Sequence, residues 1–454
     1  MIPETSLLRT VKPKRIVLVD AYWTRDKDPR IPLGHASLLA ALRERTSVDV
    51  RPVVVAVNEQ TPRDISLLDR VLAETSGLSP SDVIVACGVY VWSEAVMQNL
   101  MTGLRARGFS GRIVLGGPQI SYCEANSLEL HYPEADLFVR GNGEEAICAI
   151  ALGARPITGV HYAGSIDEDE KAALLLDGLP SPWLRKVVSL TNQRFVRWET
   201  KRGCPYRCSF CQHRDAGASR PAKASRERIR DEIAVFCEAG VSDIAVLDPV
   251  FNDPGATEIL ETFLAHGYRG RLSLQCRAEQ LTESFLDVAA RLDVCLELGI
   301  QTTNEAESRA VRRRINRAQI EERLRWIRER NIDHEVSIIF ALPTQTLESF
   351  KATVRWCLAQ RVPTIHAFPL LLLRGTELER DRDEWALEDD PDEFHAVIAS
   401  NTFSREDRVQ MRRISDALHA TQGKHPATLE ELMRHVPETE TPGRFSPNGP
   451  SGAE

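Results

Sequence analysis

Two hydrophobic rhythms alternate along most of this chain. Runs of valine, isoleucine and leucine, a handful of residues long, give way to longer stretches whose apolar positions recur at helical spacing. Lys14–Trp23 predicts a strand around Arg15-Ile-Val-Leu-Val-Asp20, and Gly34–Arg45 a helix with Leu38, Leu39 and Leu42 on one face. Val48–Val57 predicts a strand, Ile65–Thr75 a helix, Asp82–Val91 a buried strand and Glu94–Arg107 a helix. Two further strands, Arg112–Gly116 and Asp136–Arg140, lead through Gly141-Asn-Gly-Glu-Glu145 into another helix. Such alternation predicts a parallel, doubly wound, Rossmann-like sheet, and ligands on such sheets bind beyond the carboxyl ends of the strands.

The rhythm breaks at Asp177-Gly-Leu-Pro-Ser-Pro-Trp-Leu184 and then resumes. Phe195–Thr200 predicts the first strand of a second series. Helix Arg226–Ala239 leads to strand Asp243–Leu247, helix Thr257–His266 to Arg271–Cys276, and helix Thr282–Arg291 to Cys295–Ile300. Helix Gln319–Arg330 then leads to His334–Phe340, and Leu347–Ala359 to Thr364–Leu370. Six parallel strands resemble a partial (β/α)6 barrel, and active groups on such barrels gather at the carboxyl ends. Asp248, Arg277 and Gln301 stand just past three of those strands, and Glu297 lies within the fourth. Each alone is as well explained by a helix cap or an ion pair; four on three successive strands point to a site. In the first half, Gly116-Gly117-Pro118, Gly141 and Gly143 follow strands directly. Glycine there admits either a tight turn or the close approach of a bulky ligand. Trp385–Leu418 predicts a short helical extension, and the Pro-, Gly- and Thr-rich end a disordered tail.

The length of 454 residues has room for two or three domains, with 43% hydrophobic and 27% charged residues. A net charge of −8 argues against a nucleic-acid backbone as partner. The arginine-rich stretch Arg309 to Arg317, set between Glu307 and Glu321, is expected to be the solvated face of a helix. No apolar run has the length of a membrane span, and the first residues lack a signal-peptide pattern. Ten cysteines without a disulfide rhythm fit a reducing cytoplasm.

Three of those cysteines carry the chemistry. Cys204-Pro-Tyr-Arg-Cys208-Ser-Phe-Cys211 has the spacing C-x3-C-x2-C, and the next cysteine along the chain is Cys237. Closed zinc sites and ordinary electron-transfer clusters use four protein ligands. Three ligands on a 4Fe–4S cluster leave one iron open to an outside molecule. The competing reading is zinc with a fourth ligand such as His213. The loop resembles that of the radical S-adenosylmethionine (SAM) superfamily, with Phe210 as the aromatic residue before the last cysteine. This resemblance implies a 4Fe–4S cluster on Cys204, Cys208 and Cys211, with SAM chelated at the open iron and no other catalytic side chain. It implies SAM contacts from Phe210, Asp248, Arg277, Glu297 and Gln301, with Asp248 toward the ammonium group and Arg277 toward the carboxylate. Phe340-Ala-Leu-Pro-Thr-Gln-Thr346 and the Arg-Gly-Thr ending of Leu370–Thr376 resemble turns that frame adenine in the same family.

Ala86-Cys-Gly-Val-Tyr-Val-Trp-Ser93, Leu115-Gly-Gly-Pro-Gln-Ile-Ser121 and Arg140-Gly-Asn-Gly-Glu144 resemble the cobalamin-binding domain fused in front of many radical SAM enzymes. That resemblance implies cobalamin contacts from Tyr90, Gly116, Gly117, Pro118, Gly141 and Glu144. The chain departs from the pattern in which a histidine replaces cobalamin's own base: Asp-x-His-x-x-Gly is absent, and the first histidine after Asp20 is His35. Its lower cobalt face is then open or water-bound, or the domain keeps the fold without the cofactor. The expected division is a cobalamin-binding domain over 1–175, a linker over 176–195, the barrel over 196–380, a helical extension over 381–435 and the tail over 436–454. The expected activity is that of a cytoplasmic methyltransferase. It would act on an unactivated carbon of a natural-product intermediate, peptide or small metabolite, supplied with electrons by a flavodoxin or ferredoxin. Radical rearrangement, cyclisation or other SAM-derived group transfer, a non-catalytic cobalamin or cluster sensor, and a zinc-stabilised protein stay open from the residues alone.

Overall fold

The computed structural model describes residues 12–59, 66–154, 157–173, 175–215 and 221–437. Apart from its first two positions, the expected tail over 436–454 lies outside them. The chain forms two compact units that part between Thr191 and Asn192.

The first unit is built on a six-stranded sheet: β1 (Arg15–Tyr22), β2 (Asp49–Ala56), β3 (Val83–Gly88), β4 (Arg112–Gly116), β5 (Leu137–Val139) and β6 (Val160–Tyr162). The spatial order is β2-β1-β3-β4-β5-β6. β1 to β5 run parallel, and β6 pairs antiparallel with β5. β1 and β3 are buried along nearly their whole length, as expected of parallel strands covered on both faces. Val17, Val19, Val85, Leu115 and Phe138 lie in the core. The chain steps from β1 outward to β2, then returns past β1 to β3. The strand order therefore reverses between β1 and β3, the switch point at which such sheets open a crevice. The segment expected as a linker over 176–195 is packed structure for most of its length. Leu176, Leu179, Trp183, Val187 and Val188 are all buried. Pro180 and Pro182 bar helix around them, while the apolar residues between still find a core.

The second unit holds β7 (Phe195–Trp198), β8 (Asp243–Val246), β9 (Arg271–Cys276), β10 (Asp293–Gln301), β11 (Asp333–Phe340) and β12 (Thr364–Pro369). All neighbours are parallel and the order is sequential, with β7 at one edge and β12 at the other. This is an α/β partial barrel. The intervening helices begin where side chains can accept free backbone N–H groups: Ser225, Thr282, Asn316 and Thr346 all do so. β10 carries a bulge between Gly299 and Gln301, and Gln301 has φ of 72°. Bulges re-aim side chains beside functional sites, and this one turns the strand end toward the cavity described below.

Two expectations are corrected here. Arg309 to Arg317 is not one helical face: the helix Glu305–Ala310 stops, and the helix Arg317–Glu329 starts only after its Asn316 cap, leaving Arg312 to Arg314 in a loop. The C-terminal extension is not purely helical. Helix Arg405–Ala420 buries Met411, Ile414, Ala417 and Leu418, but Glu388–Asp390 and Ala396–Ala399 form an antiparallel pair. Ser415 Oγ donates to the Ala367 carbonyl on β12, so this extension belongs to the second unit.

Candidate functional site

The cysteine loop leaves the carboxyl end of β7. Asp248, just past β8, accepts hydrogen bonds from Thr200 N at 2.7 Å, Lys201 N at 3.1 Å and the Thr200 hydroxyl. Its side chain is 0% exposed. Burial pushes its carboxyl up to about 6, against the pull of Lys201 and Thr200. Asp248 therefore ties the root of the loop to β8 and does not line the cavity. The expected contact with a SAM ammonium group is corrected on that ground. Beyond the root, Ser209 N bonds the Val311 carbonyl at 3.1 Å, and Leu378 N bonds the Ser209 carbonyl at 3.0 Å. Gly203, at φ of 87°, supplies the turn into Cys204.

Cys204, Cys208 and Cys211 border one cavity of about 390 Å³. Phe210, Arg277, Glu297 and Gln301 share its wall, so four of the five expected SAM contacts are gathered there. The Arg277 guanidinium lies 3.9 Å from the centre of the Tyr206 ring in the same loop. Asn252 brackets the Arg277 backbone, donating to its carbonyl at 2.9 Å and accepting from its N–H at 3.0 Å. Leu-Asp-Pro-Val-Phe-Asn252 thus contributes through its last residue, a role not read from the sequence.

Arg313 was also missed. It reaches the cavity from the 311–316 loop, donates through Nη2 to the Gly299 carbonyl, and brings Nη1 to 3.9 Å from Cys208 Sγ. Two asparagines carried the signal. Asn304 and Asn316 cap successive helices, so the first helix has to end before Asn316 and leave a loop ahead of the second.

Burial pushes the Cys204 and Cys211 thiols up, Cys211 to about 11, and the neighbouring cysteines add to this. Arg277 and Arg313 pull the Cys204 thiol the other way. A metal bound here replaces those protons. Cys276 borders the cavity from β9, where its electrostatic neighbours are Glu297 and Lys201 rather than the loop cysteines. Among the described residues, no three His, Cys, Asp or Glu side chains come close enough together to hold a single metal ion.

In the first unit, Tyr90 and Trp92 follow β3 at the switch point and stack with ring centres 4.7 Å apart. Trp92 Nε1 donates to the Ala21 carbonyl at 3.2 Å, and both rings are half-buried. Gly116, which ends β4, and Gly117 and Pro118 just past it are also half-buried. Gly117 and Gly141 have φ of 99° and 82°, and a Cβ at either would fall 2.7 Å from Val89 O or 2.6 Å from Ala172 O. Close packing of the unit's own backbone accounts for both glycines. Glu144 is buried and accepts from Ser37 Oγ at 2.8 Å, so its carboxylate faces inward and the expected cobalamin contact is corrected. Behind Tyr90, Asp20 and His35 are 4% and 2% exposed, with Asp20 Oδ2 3.9 Å from His35 Nδ1. Asp20 Oδ1 and His35 Nε2 have no hydrogen-bond partner. Desolvation pushes Asp20 up to about 7 and His35 down to about 4, so between those values both are neutral.

Residues 198–357 match the sequence model of the radical SAM superfamily. The match falls within the barrel. Over 355 residues the chain is 29% identical to the cobalamin-dependent radical SAM methyltransferase TokK of Streptomyces tokunonensis, a match covering 71% of this chain and 50% of TokK. It is also 29% identical over 216 residues to the 2-(S-pantetheinyl)-carbapenam-3-carboxylate methyltransferase of Streptantibioticus cattleyicolor, covering 43% of this chain and 31% of that protein. The chain thus spans half or less of these curated relatives. The radical SAM methyltransferase TsrM from Kitasatospora setae, solved with tryptophan and a SAM analogue, shares the fold. Its TM-score is 0.67 at 18% identity, with 92% of each chain covered. The cobalamin-dependent radical SAM enzyme OxsB gives 0.66 at 13% identity, over 93% of this chain and 70% of OxsB.

The radical SAM cofactors fit the residues present. Three soft thiols border one cavity, and thiolate sulfur is the ligand by which iron–sulfur clusters are held. The cations Arg277 and Arg313 and the carboxylate of Glu297 share that wall, a charge pattern suited to an amino acid's two ends.

Proposed function

We propose that this chain is a cobalamin-dependent radical SAM methyltransferase that modifies an unactivated carbon of a small molecule or peptide. The observation that carries the reading is the sharing of one cavity by three cysteines of a single loop and a wall of opposite charges. When bound, the cluster supplies low-potential electrons to the SAM sulfonium, and cobalamin supplies a methyl carrier. Cys204, Cys208 and Cys211 hold the cluster, and Phe210 covers it between the last two ligands. Arg277, stacked on Tyr206 and fixed by Asn252, takes the SAM carboxylate; Glu297 and Gln301 offer acceptors for its ammonium group. The apolar side, with Ile339, Phe368 and Leu370, excludes water from the reacting atoms.

The first unit is the proposed cobalamin domain. Its support is the doubly wound sheet, the Tyr90–Trp92 plate at the switch point and the similarity to the cobalamin-dependent TokK. The crevice face of Gly116 and Pro118 is the surface offered to the corrin ring. Electrons come from a flavodoxin- or ferredoxin-type donor, and the compartment is the cytoplasm.

The test is anaerobic purification, reconstitution with iron, sulfide and hydroxocobalamin, and mass analysis of products after incubation with SAM and candidate substrates. Iron and cobalt together, S-adenosylhomocysteine, and a product heavier by one methyl group are expected. Zinc in place of both metals would overturn the reading. A 5′-deoxyadenosine-coupled product without the added methyl would instead favour rearrangement or cyclisation.

A further inference from the structure

We propose that Arg313 is a tuning residue of the cluster: its guanidinium donates to the sulfur of the Cys208 side and makes the cluster easier to reduce. This rests on the reading of the cysteine loop as a cluster site, and three observations carry it further. First, Arg313 is 9% exposed and its Nη1 already lies 3.9 Å from Cys208 Sγ, with the thiolate side of the cavity before it. Second, its Nε is buried with no hydrogen-bond partner. A buried guanidinium N–H without an acceptor is costly, and its usual explanation is a group that completes the site. Inorganic sulfide and thiolate sulfur are acceptors the cysteine loop would bring there. Third, the arginine is held in place from behind. Nη2 is spent on the Gly299 carbonyl at the β10 bulge, the Arg313 N–H bonds the Ser308 carbonyl at 2.9 Å, and Ser308 Oγ donates to the Arg313 carbonyl. The adjoining Val311 carbonyl accepts from Ser209, so the arginine's loop and the cysteine loop keep one register. An arginine seeking only a salt bridge has no need of this framework.

The electrostatic consequence has a definite sign. Reduction adds one electron, taken from a low-potential one-electron donor, to a group already bearing thiolate charge. A cation and N–H donors fixed against its sulfurs favour the more negative state, so they raise the reduction potential. Lysine can keep the charge but not the fork that serves Gly299 and Cys208 at once.

The test compares wild type, Arg313→Lys and Arg313→Gln after anaerobic reconstitution. Iron and sulfide contents are measured, and midpoint potentials come from mediated redox titration followed by electron paramagnetic resonance. The potential should move to more negative values in Arg313→Gln, and by a smaller step in Arg313→Lys, at unchanged iron per chain. Electron–nuclear double resonance of reduced wild type in H2O and D2O needs no variant: an exchangeable, 15N-arginine-associated proton coupled to the cluster is expected. Equal potentials in wild type and Arg313→Gln, or no such coupled proton, would overturn the assignment while leaving the cluster reading intact. A wild-type protein that takes up no iron would overturn both.

Discussion

The two units show opposite relations between motif and chemistry. In the barrel, the conspicuous residues and the cavity coincide: the cysteine loop, Arg277, Glu297 and Gln301 share one wall. In the first unit, the conspicuous glycines at Gly117 and Gly141 serve the unit's own backbone, and Glu144 is spent on Ser37. What stays half-buried near the switch point there is an aromatic plate and a short turn. Cysteine at metal-ligand spacing has few other uses, whereas glycine after a strand has many. A motif is therefore as informative as its residue type is costly to use otherwise.

The sharpest break of that comparison is Cys208→Ala. It removes one of the three proposed cluster ligands, with no fourth cysteine in the loop to replace it. Formation of 5′-deoxyadenosine should fall to background, at least about a hundredfold, together with iron content. Cobalamin absorbance should persist, because its proposed site lies in the other unit. Retained SAM cleavage would show that the cluster loop is assigned wrongly.

Next in size is Arg140→Ala, in the third of the cobalamin-like motifs. Arg140 is 1% exposed, pairs with Asp167 at 2.5 Å and Asp169 at 3.0 Å, and donates to the carbonyls of Ile120 and Cys123. Its removal strands a buried carboxylate, at a cost of about 3–5 kcal/mol. The first unit's unfolding transition should drop while the barrel's iron content holds. A wild-type melting curve would show that the loops after β4 and β5 are held by something else.

The sequence was read most accurately where long periodic segments met clear caps. Every barrel strand begins and ends within two residues of its expected place, because β-branched runs and Ser, Thr or Asn caps agree there. β6 escaped because three residues carry no period, and the pair Glu388–Asp390 and Ala396–Ala399 because acidic residues rarely signal strand. Asp248 was misjudged for a different reason. A carboxylate at a strand end can serve a ligand or the chain, and only the Thr200 and Lys201 amides decide which. Arg313 was hidden among like charges, whose average character is solvated.

A third test uses the buried neutral pair behind Tyr90. Asp20 keeps its proton in the folded state up to about 7, whereas the unfolded chain releases it near the ordinary value of 3.8. The folded state thus binds more protons across that window, and this group costs stability progressively as pH rises from about 4 to about 7. His35 works the other way: lowered to about 4 from 6.5, it adds stability as pH rises between those values. Asp20→Asn removes the first slope and keeps the second. The variant should match wild type below pH 4, gain on it up to about pH 7, and stay ahead by roughly 2–4 kcal/mol above that. Denaturant titrations across the range would show this. A difference independent of pH would mean that Asp20 is solvated.

The smallest effects come from two adjacent glycines, and they separate packing from ligand contact. A methyl at Gly117 meets Val89 O at 2.7 Å in a left-handed conformation, so Gly117→Ala should cost roughly 1–3 kcal/mol of stability. Its effect on cobalamin affinity should be no larger than that loss explains. Gly116 differs: a Cβ there finds only Val139 Cβ at 3.7 Å and Val139 O at 3.8 Å, both ordinary contacts. Gly116→Ala should leave stability within about 1 kcal/mol of wild type, since a strand position tolerates alanine and the unfolded chain loses freedom. If the crevice face takes the corrin ring, the same methyl should still weaken cobalamin binding, because it fills space the unit itself leaves open. Equilibrium binding of hydroxocobalamin to both variants, beside their melting curves, decides the matter. Unaltered affinity in Gly116→Ala would remove this turn from the cobalamin surface and leave the Tyr90–Trp92 plate as its remaining support.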